Sequence, residues 1–201
     1  MAILTNAELK NRLFGRADPD RRLVITPMLD RKQIGDASVD VRLGTEFIII
    51  RHTNLSSIDP TLGRHMRERI GQYQERTRVG FREPFVLHPN QLVLGSTLEY
   101  VSLPSDLAAE VVGRSSWGRL GLIIATATAV APGFKGVITL ELINGGQVPL
   151  ILYPGFRIAQ LVIDDLAGKS SYSGRYDFPT GPQFSRIHED EEMPFWVKQA
   201  T

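Results

Sequence analysis

The chain contains no cysteine among its 201 residues. Disulfides and thiolate metal sites are therefore excluded, and the composition suits a reducing, cytoplasmic setting. Charge imbalance is also missing: the formal net charge is +1, which gives no sign of a nucleic-acid partner. No apolar run is long enough to cross a bilayer. The longest, Leu122 to Ala131, includes two threonines and reads as a buried strand rather than a membrane segment. At the start, Glu8, Lys10 and Arg12 interrupt the stretch where a signal peptide would need its apolar core. Internal repeats and low-complexity tracts are absent too. With 42% hydrophobic and 22% charged residues, the expectation is one domain over residues 1–201 with a sizeable core and no membrane partner.

The periodicities present are mostly those of strands. One helix is expected at the beginning, where Thr5 and Glu8 have capping-box spacing and Leu4 and Leu9 the spacing of a hydrophobic staple. Leu9, Leu13 and Phe14 form its apolar stripe, and Gly15 ends it. Short apolar or alternating runs then follow around Leu23–Ile25, Ser38–Leu43, Phe47–Ile50, Phe85–Leu87, Gln91–Leu94, Ala109–Val112, Gly121–Ala127, Val137–Ile143, Leu150–Tyr153 and Ile158–Ile163. Gly, Pro, Asn and Asp separate them, which argues for an all-β sandwich or barrel-like domain. Short helical pieces are expected near Pro104–Leu107 and Ser116–Leu120. The arginine-rich segment from Gly63 to Glu83 reads as a solvated helix or loop, and residues 169–201 as a loop or lid.

One stretch is rich in donors. Gly113-Arg114-Ser115-Ser116-Trp117-Gly118-Arg119-Leu120-Gly121 places two arginines and two serines among glycines. Guanidinium forks match phosphate oxygens, hydroxyls add donors, and glycine lets main-chain N–H groups approach a ligand. A polyphosphate is the natural guest. A second informative stretch is Val137 to Leu142. Val137, Thr139 and Glu141 share one face of a strand, while Ile138, Leu140 and Leu142 share the other. The apolar face belongs to the core, so Glu141 points to water or a cleft.

Together with Pro132–Asn144, Tyr153–Leu161 and Asp36–Gly44, this run resembles the dCTP deaminase and trimeric dUTPase superfamily, closest to the dCTP deaminase branch. The resemblance implies a mainly β, distorted jelly-roll or β-barrel-like dUTPase-type fold with a short amino-terminal helix and a flexible carboxy-terminal lid. It implies a homotrimer with sites at subunit interfaces. The implied activity is hydrolytic deamination of dCTP to dUTP and ammonia, with no metal at the reacting carbon and Mg²⁺ carried on the triphosphate. Zinc-dependent deaminases use a His-x-Glu and a Pro-Cys-x-x-Cys signature, and this chain has neither.

Carried over by the same resemblance, Glu141 is the base and acid, Ser115 helps hold the water, and Arg119 lies near the amine. Arg114, Ser116, Thr126, Ala127, Thr139, Gln160, Tyr172 and Arg175 are the expected nucleotide-binding residues. Three departures from the family pattern surround the nucleotide. Ala131 replaces an aspartate that in dUTPases and bifunctional deaminases activates the phosphate-cleaving water. Pro179 replaces a tail glutamine, and Ile124 or Ala125 stands where a histidine is common. Alternative readings are a bifunctional deaminase and diphosphatase, against which Ala131 counts, and a nucleotide-binding homologue with little catalysis.

Overall fold

Strand pairing organises the chain around two antiparallel sheets. The structure, a computed structural model, describes residues 2–15, 18–51, 57–59, 68, 71–125, 129–172, 174–176, 178–189 and 192. Thirteen strands are labelled in chain order: β1 (Ala2–Ile3), β2 (Val24–Thr26), β3 (Val39–Arg42), β4 (Glu46–Ile50), β5 (Gln74–Arg78), β6 (Phe85–Leu87), β7 (Leu92–Ser102), β8 (Leu107–Gly113), β9 (Leu122–Ile124), β10 (Ala129–Val130), β11 (Lys135–Asn144), β12 (Leu150–Leu152) and β13 (Arg157–Asp165). One sheet runs β1-β13-β8-β10 with β3 also on β13. The other runs β5-β4-β7-β11-β9 with β2 also on β7, and β12 pairs with β6. Mainly β architecture was expected. Among the described residues no helix is long and apolar enough to cross a membrane.

The alternation seen in the sequence explains the core. Val39, Val41 and Leu43 are fully buried, as are Leu140 and Leu142. Each such side chain contributes roughly 1.5–3 kcal/mol when fully buried. Phe47 and Phe85 stack at 4.2 Å between ring centroids.

The first helix spans Asn6–Phe14. The Thr5 N–H and hydroxyl each donate to the Glu8 carboxylate at 2.9 Å, while Leu4 and Leu9 are buried as a staple requires. Those hydrogen bonds hold the Glu8 carboxyl below its ordinary range. Phe14 departs from the expected stripe: it is exposed and takes the Arg31 guanidinium over its ring. Arg12 crosses from the helix to Asp106 at 2.7 Å, and Arg21 reaches the same oxygen at 2.9 Å. Burial pushes the Asp106 carboxyl up, but hydrogen bonds from Arg12 and Arg21 outweigh it and hold the group below its usual value.

Three expectations need correction. Pro104–Leu107 is a turn rather than a helix, closed by the Leu107 N–H on the Pro104 carbonyl, after which Leu107, Ala109 and Val111 alternate into β8. The short strand expected at Gln91–Leu94 continues to Ser102. Gln74–Arg78, inside the segment read as a solvated helix or loop, is the edge strand β5, paired with β4 throughout its length. Its charged side chains find partners across that pair: Glu75 meets Arg51, and Arg76 meets Glu46. Much of Gly63–Glu83 before it lies outside the described residues.

Strand β11 also carries a bulge against β7. Pairing jumps from Val137↔Tyr100 to Thr139↔Ser96, so Thr97–Glu99 face Ile138 alone. The Ile138 N–H donates to the Thr97 hydroxyl at 2.9 Å instead of a strand carbonyl. Bulges of this kind re-aim side chains, and beyond it Thr139 and Glu141 emerge on the outer face. The same bulge sends Glu99 inward, fully buried. Burial raises its carboxyl above the usual range, opposed by the Arg42 N–H and the Gln33 amide.

Candidate active site

Glu141 lies on the outer face of β11, between the fully buried Leu140 and Leu142. A cavity of about 550 Å³ opens over it, within the size range of small-molecule sites. Its walls come from several parts of the chain. Strand β11 supplies Thr139 and Glu141, and the turn before it supplies Ala131 and Phe134. The carboxy-terminal segment supplies Tyr172, Tyr176, Pro179 and Gln183, and β5 supplies Gln74. Phe134 meets Tyr172 edge-on at 5.8 Å, giving one wall an aromatic surface. Burial pushes the Glu141 carboxyl above its ordinary range, as a residue that must both take and return a proton requires.

The carboxy-terminal segment is drawn over this cavity. The Val137 N–H donates to the Pro179 carbonyl at 2.8 Å, and the Gln183 N–H donates to the Thr139 hydroxyl at 3.1 Å. Gly136 makes the first contact feasible. Its φ is +152°, and a Cβ there would stand 2.3 Å from the Pro179 ring. The Tyr176 hydroxyl accepts from the Arg186 N–H at 3.0 Å, and Arg76 lies over the Phe184 ring. A loop or lid over the site was expected. The particular wall residues Tyr176, Gln183, Phe134 and Gln74 were not, because only the fold brings them together.

The donor-rich stretch lies elsewhere. Ser115–Gly118 form a short helix between β8 and β9, and Ser115, Ser116 and Arg119 are exposed. None of Arg114, Ser115, Ser116 and Arg119 lines the cavity. The turn that follows is held by Gly121, with φ +97°, where a Cβ would meet the Gly146 backbone at 2.8 Å. Strand β9 then pairs with β11 beside the acid: Ile124 faces Leu142, and the Ala125 N–H donates to the Glu141 carbonyl at 2.9 Å. Thr126 and Ala127 lie outside the described residues.

Gln160 also lies away from the cavity; its amide donates to Asp40 at 3.0 Å. Arg175 is exposed on the carboxy-terminal segment. Of the nucleotide-binding residues expected from the sequence, the cavity thus gathers Thr139 and Tyr172 around Glu141, together with the departures Ala131 and Pro179.

The dCTP deaminase-like family model matches residues 3–166. The chain belongs to that family. It is 44% identical over 199 residues to a dCTP deaminase of Halorubrum lacusprofundi, covering 95% of this chain and 94% of that protein. It is 40% identical over 201 residues to a dUMP-forming dCTP deaminase of Methanobrevibacter smithii, covering 96% of this chain and 99% of the other. The fold is shared with the 2′-deoxycytidine 5′-triphosphate deaminase of Agrobacterium tumefaciens. That match has a TM-score of 0.60 at 23% identity over 80% of this chain and 46% of that longer one. Family membership agrees with the resemblance carried by Gly113–Gly121, Pro132–Asn144, Tyr153–Leu161 and Asp36–Gly44.

Proposed function

We propose that this protein deaminates dCTP hydrolytically to dUTP and ammonia, with Glu141 as the group that moves the proton. The observation that carries this reading is the partly desolvated Glu141 carboxyl, raised above its ordinary range, in the wall of the cavity. Relatives at 40–44% identity named dCTP deaminase support the substrate. Water adds to the ring carbon that bears the amine, and the Glu141 carboxylate takes its proton. The carboxylic acid then returns that proton to the nitrogen as the carbon–nitrogen bond of the cyclic amidine breaks. Dry surroundings favour this exchange, because they raise the carboxyl above its ordinary range and so make the protonated form easier to reach. The carboxy-terminal segment over Thr139 keeps water out.

Ser115 and Arg119 complete the chemistry by holding the water and facing the amine, with Arg114, Ser116 and Arg175 on the phosphate side and Gln160 behind them on Asp40. Ser115, Ser116 and Arg119 are exposed, and the stretch from Arg114 to Arg119 stands apart from the cavity of its own chain. That separation supports a homotrimer in which a neighbouring copy brings it to Glu141, through the head-to-tail interfaces that close a three-fold ring. Magnesium, when bound, neutralises charge on the triphosphate. Among the described residues lining the cavity Glu141 is the single carboxylate. That suits an ion carried by phosphate oxygens rather than one held in a protein cage.

A second reading, deamination followed by triphosphate cleavage, is raised by the dUMP-forming relatives. Ala131 in the cavity wall opposes it, since a methyl group neither orients nor deprotonates a water in line with the α-phosphorus. Incubation with dCTP and with dUTP, following ammonia and pyrophosphate, separates the readings. Ammonia without pyrophosphate is expected. Stoichiometric pyrophosphate would establish the bifunctional reading, and nucleotide binding with neither product would leave a binding homologue.

A further inference from the structure

Asp40 is a buried carboxylate for which the deamination chemistry has no use. It lies on β3 between the fully buried Val39 and Val41 and is itself 7% exposed. Its partners come from β13 and from the residue after β8. Oδ1 accepts from Nε2 of Gln160 at 3.0 Å, the residue directly opposite on β13. Oδ2 accepts from Nη1 of Arg157 at 3.3 Å, and Arg157 is held from its other side by Asp30 at 3.2 Å. Nε of Arg114 stands 3.6 Å from Oδ1. Nη1 of Arg114 donates to the Arg157 carbonyl at 3.4 Å, an oxygen that also accepts the Trp117 indole N–H at 3.0 Å. The Arg114 guanidinium is therefore gripped along its Nε–Nη1 edge. Among the described residues its Nη2 has no hydrogen-bond partner.

We propose that Asp40 is a positioning residue that fixes the plane of the Arg114 guanidinium, so that its open Nη2 end is presented to the substrate's phosphates. The identity of that ligand rests on the deaminase reading; the clamp itself does not. Arginine recognises phosphate through a planar fork, so its orientation matters as much as its charge. Asp40 also stands between Arg114 and Arg157, two cations that would repel without it. Gln160 belongs to this supporting layer: its amide is spent on Asp40.

The test has two arms. In the first, dCTP and dCMP binding are measured calorimetrically for wild type, Asp40→Asn, Arg114→Ala and the double variant, each checked for folding by circular dichroism. Asp40→Asn is expected to weaken dCTP by about tenfold while changing dCMP less than about twofold. This corresponds to loss of one well-aligned charge-assisted contact. Because Asp40 acts through Arg114, the double variant should bind dCTP no more weakly than Arg114→Ala. Wild-type dCTP affinity in folded Asp40→Asn, or losses that add in the double variant, overturns the proposal.

The second arm needs no variant of Asp40. In ¹⁵N-arginine-labelled wild type, the Arg114 Nε–H resonance, assigned by its loss in Arg114→Lys, should be sharp and slow to exchange with water, unlike that of exposed Arg119. Fast exchange at Arg114 overturns the clamp even if Asp40→Asn fails to fold. A wild-type protein that binds no dCTP would instead defeat the deaminase reading and leave the Arg114 resonance to decide the clamp.

Discussion

Replacing Glu141 with glutamine changes one oxygen for an NH₂ group and nothing else of size. The neighbours of Glu141 on β11, Leu140 and Leu142, are held by core packing. The segment over the cavity is anchored through the Thr139 hydroxyl and the Val137 N–H, neither of which involves the carboxyl. Docking of that segment and nucleotide binding should therefore survive, with dCTP affinity within about threefold. Turnover should not survive. An amide neither takes nor returns a proton, and positioned acid–base catalysis is worth roughly 10²–10⁴-fold, or about 2.7–5.5 kcal/mol of activation free energy. Stability should move the other way. The folded-state carboxyl titrates above its ordinary value because burial disfavours its charge. The stability it contributes is fully present below the unfolded value and is lost as pH rises through the folded one. At neutral pH the wild type is on the unfavourable side, and glutamine removes that penalty. A variant whose melting temperature is equal or higher and whose rate has collapsed is the expected result. Ammonia release gives the rate, and calorimetric titration with dCTP gives the affinity. For the wild type, kcat/KM should fall as pH drops through the raised Glu141 value, because the base must be ionised to accept the proton. A Glu141→Gln rate within a few fold of wild type would refute the assignment.

Two further outcomes are expected. Light scattering at micromolar concentration should give three times the 22.4 kDa mass of one chain, because the proposed site joins the donor-rich helix of one copy to the cavity of another; a fully active monomer would refute this. Asp106→Ala should destabilise the fold by about 1.5–3 kcal/mol, because it removes the nearer carboxylate partner of buried Arg12 and leaves Asp165 at 3.5 Å as its remaining counter-charge. In the wild type this pair's contribution is present above the unfolded Asp value and is lost as pH falls through the depressed folded one. Denaturant melts at neutral and acidic pH measure both effects.

The sequence disclosed most where periodicity and chemistry coincide. Alternation through Val137–Leu142 puts Glu141 opposite the core, and Thr5 with Glu8 marks the first helix through side-chain chemistry alone. It was silent where tertiary pairing overrides local pattern. Gln74–Arg78 has no apolar position to betray a strand; it becomes one because the open edge of β4 needs hydrogen-bond partners. The run from Arg114 to Arg119 reads as one ligand-binding group, yet Arg114 turns its guanidinium back onto Asp40 and Arg157 while Ser115, Ser116 and Arg119 face solvent. Tyr176 and Gln183 carry no local signal of a role, because what recruits them is a docking surface more than thirty residues away along the chain.

The join between Val137 and Pro179 is made by main-chain atoms, and Gly136 leaves the ring its berth. Such a seam is indifferent to most of the side chains on either side of it. The carboxy-terminal segment is therefore a replaceable cover whose fastening is separate from its inner lining. Gln183, tied down by its main-chain N–H, is free to diversify what the chamber accepts without loosening the latch. Gly136 is not, because any bulkier residue there would push the whole cover off its seat.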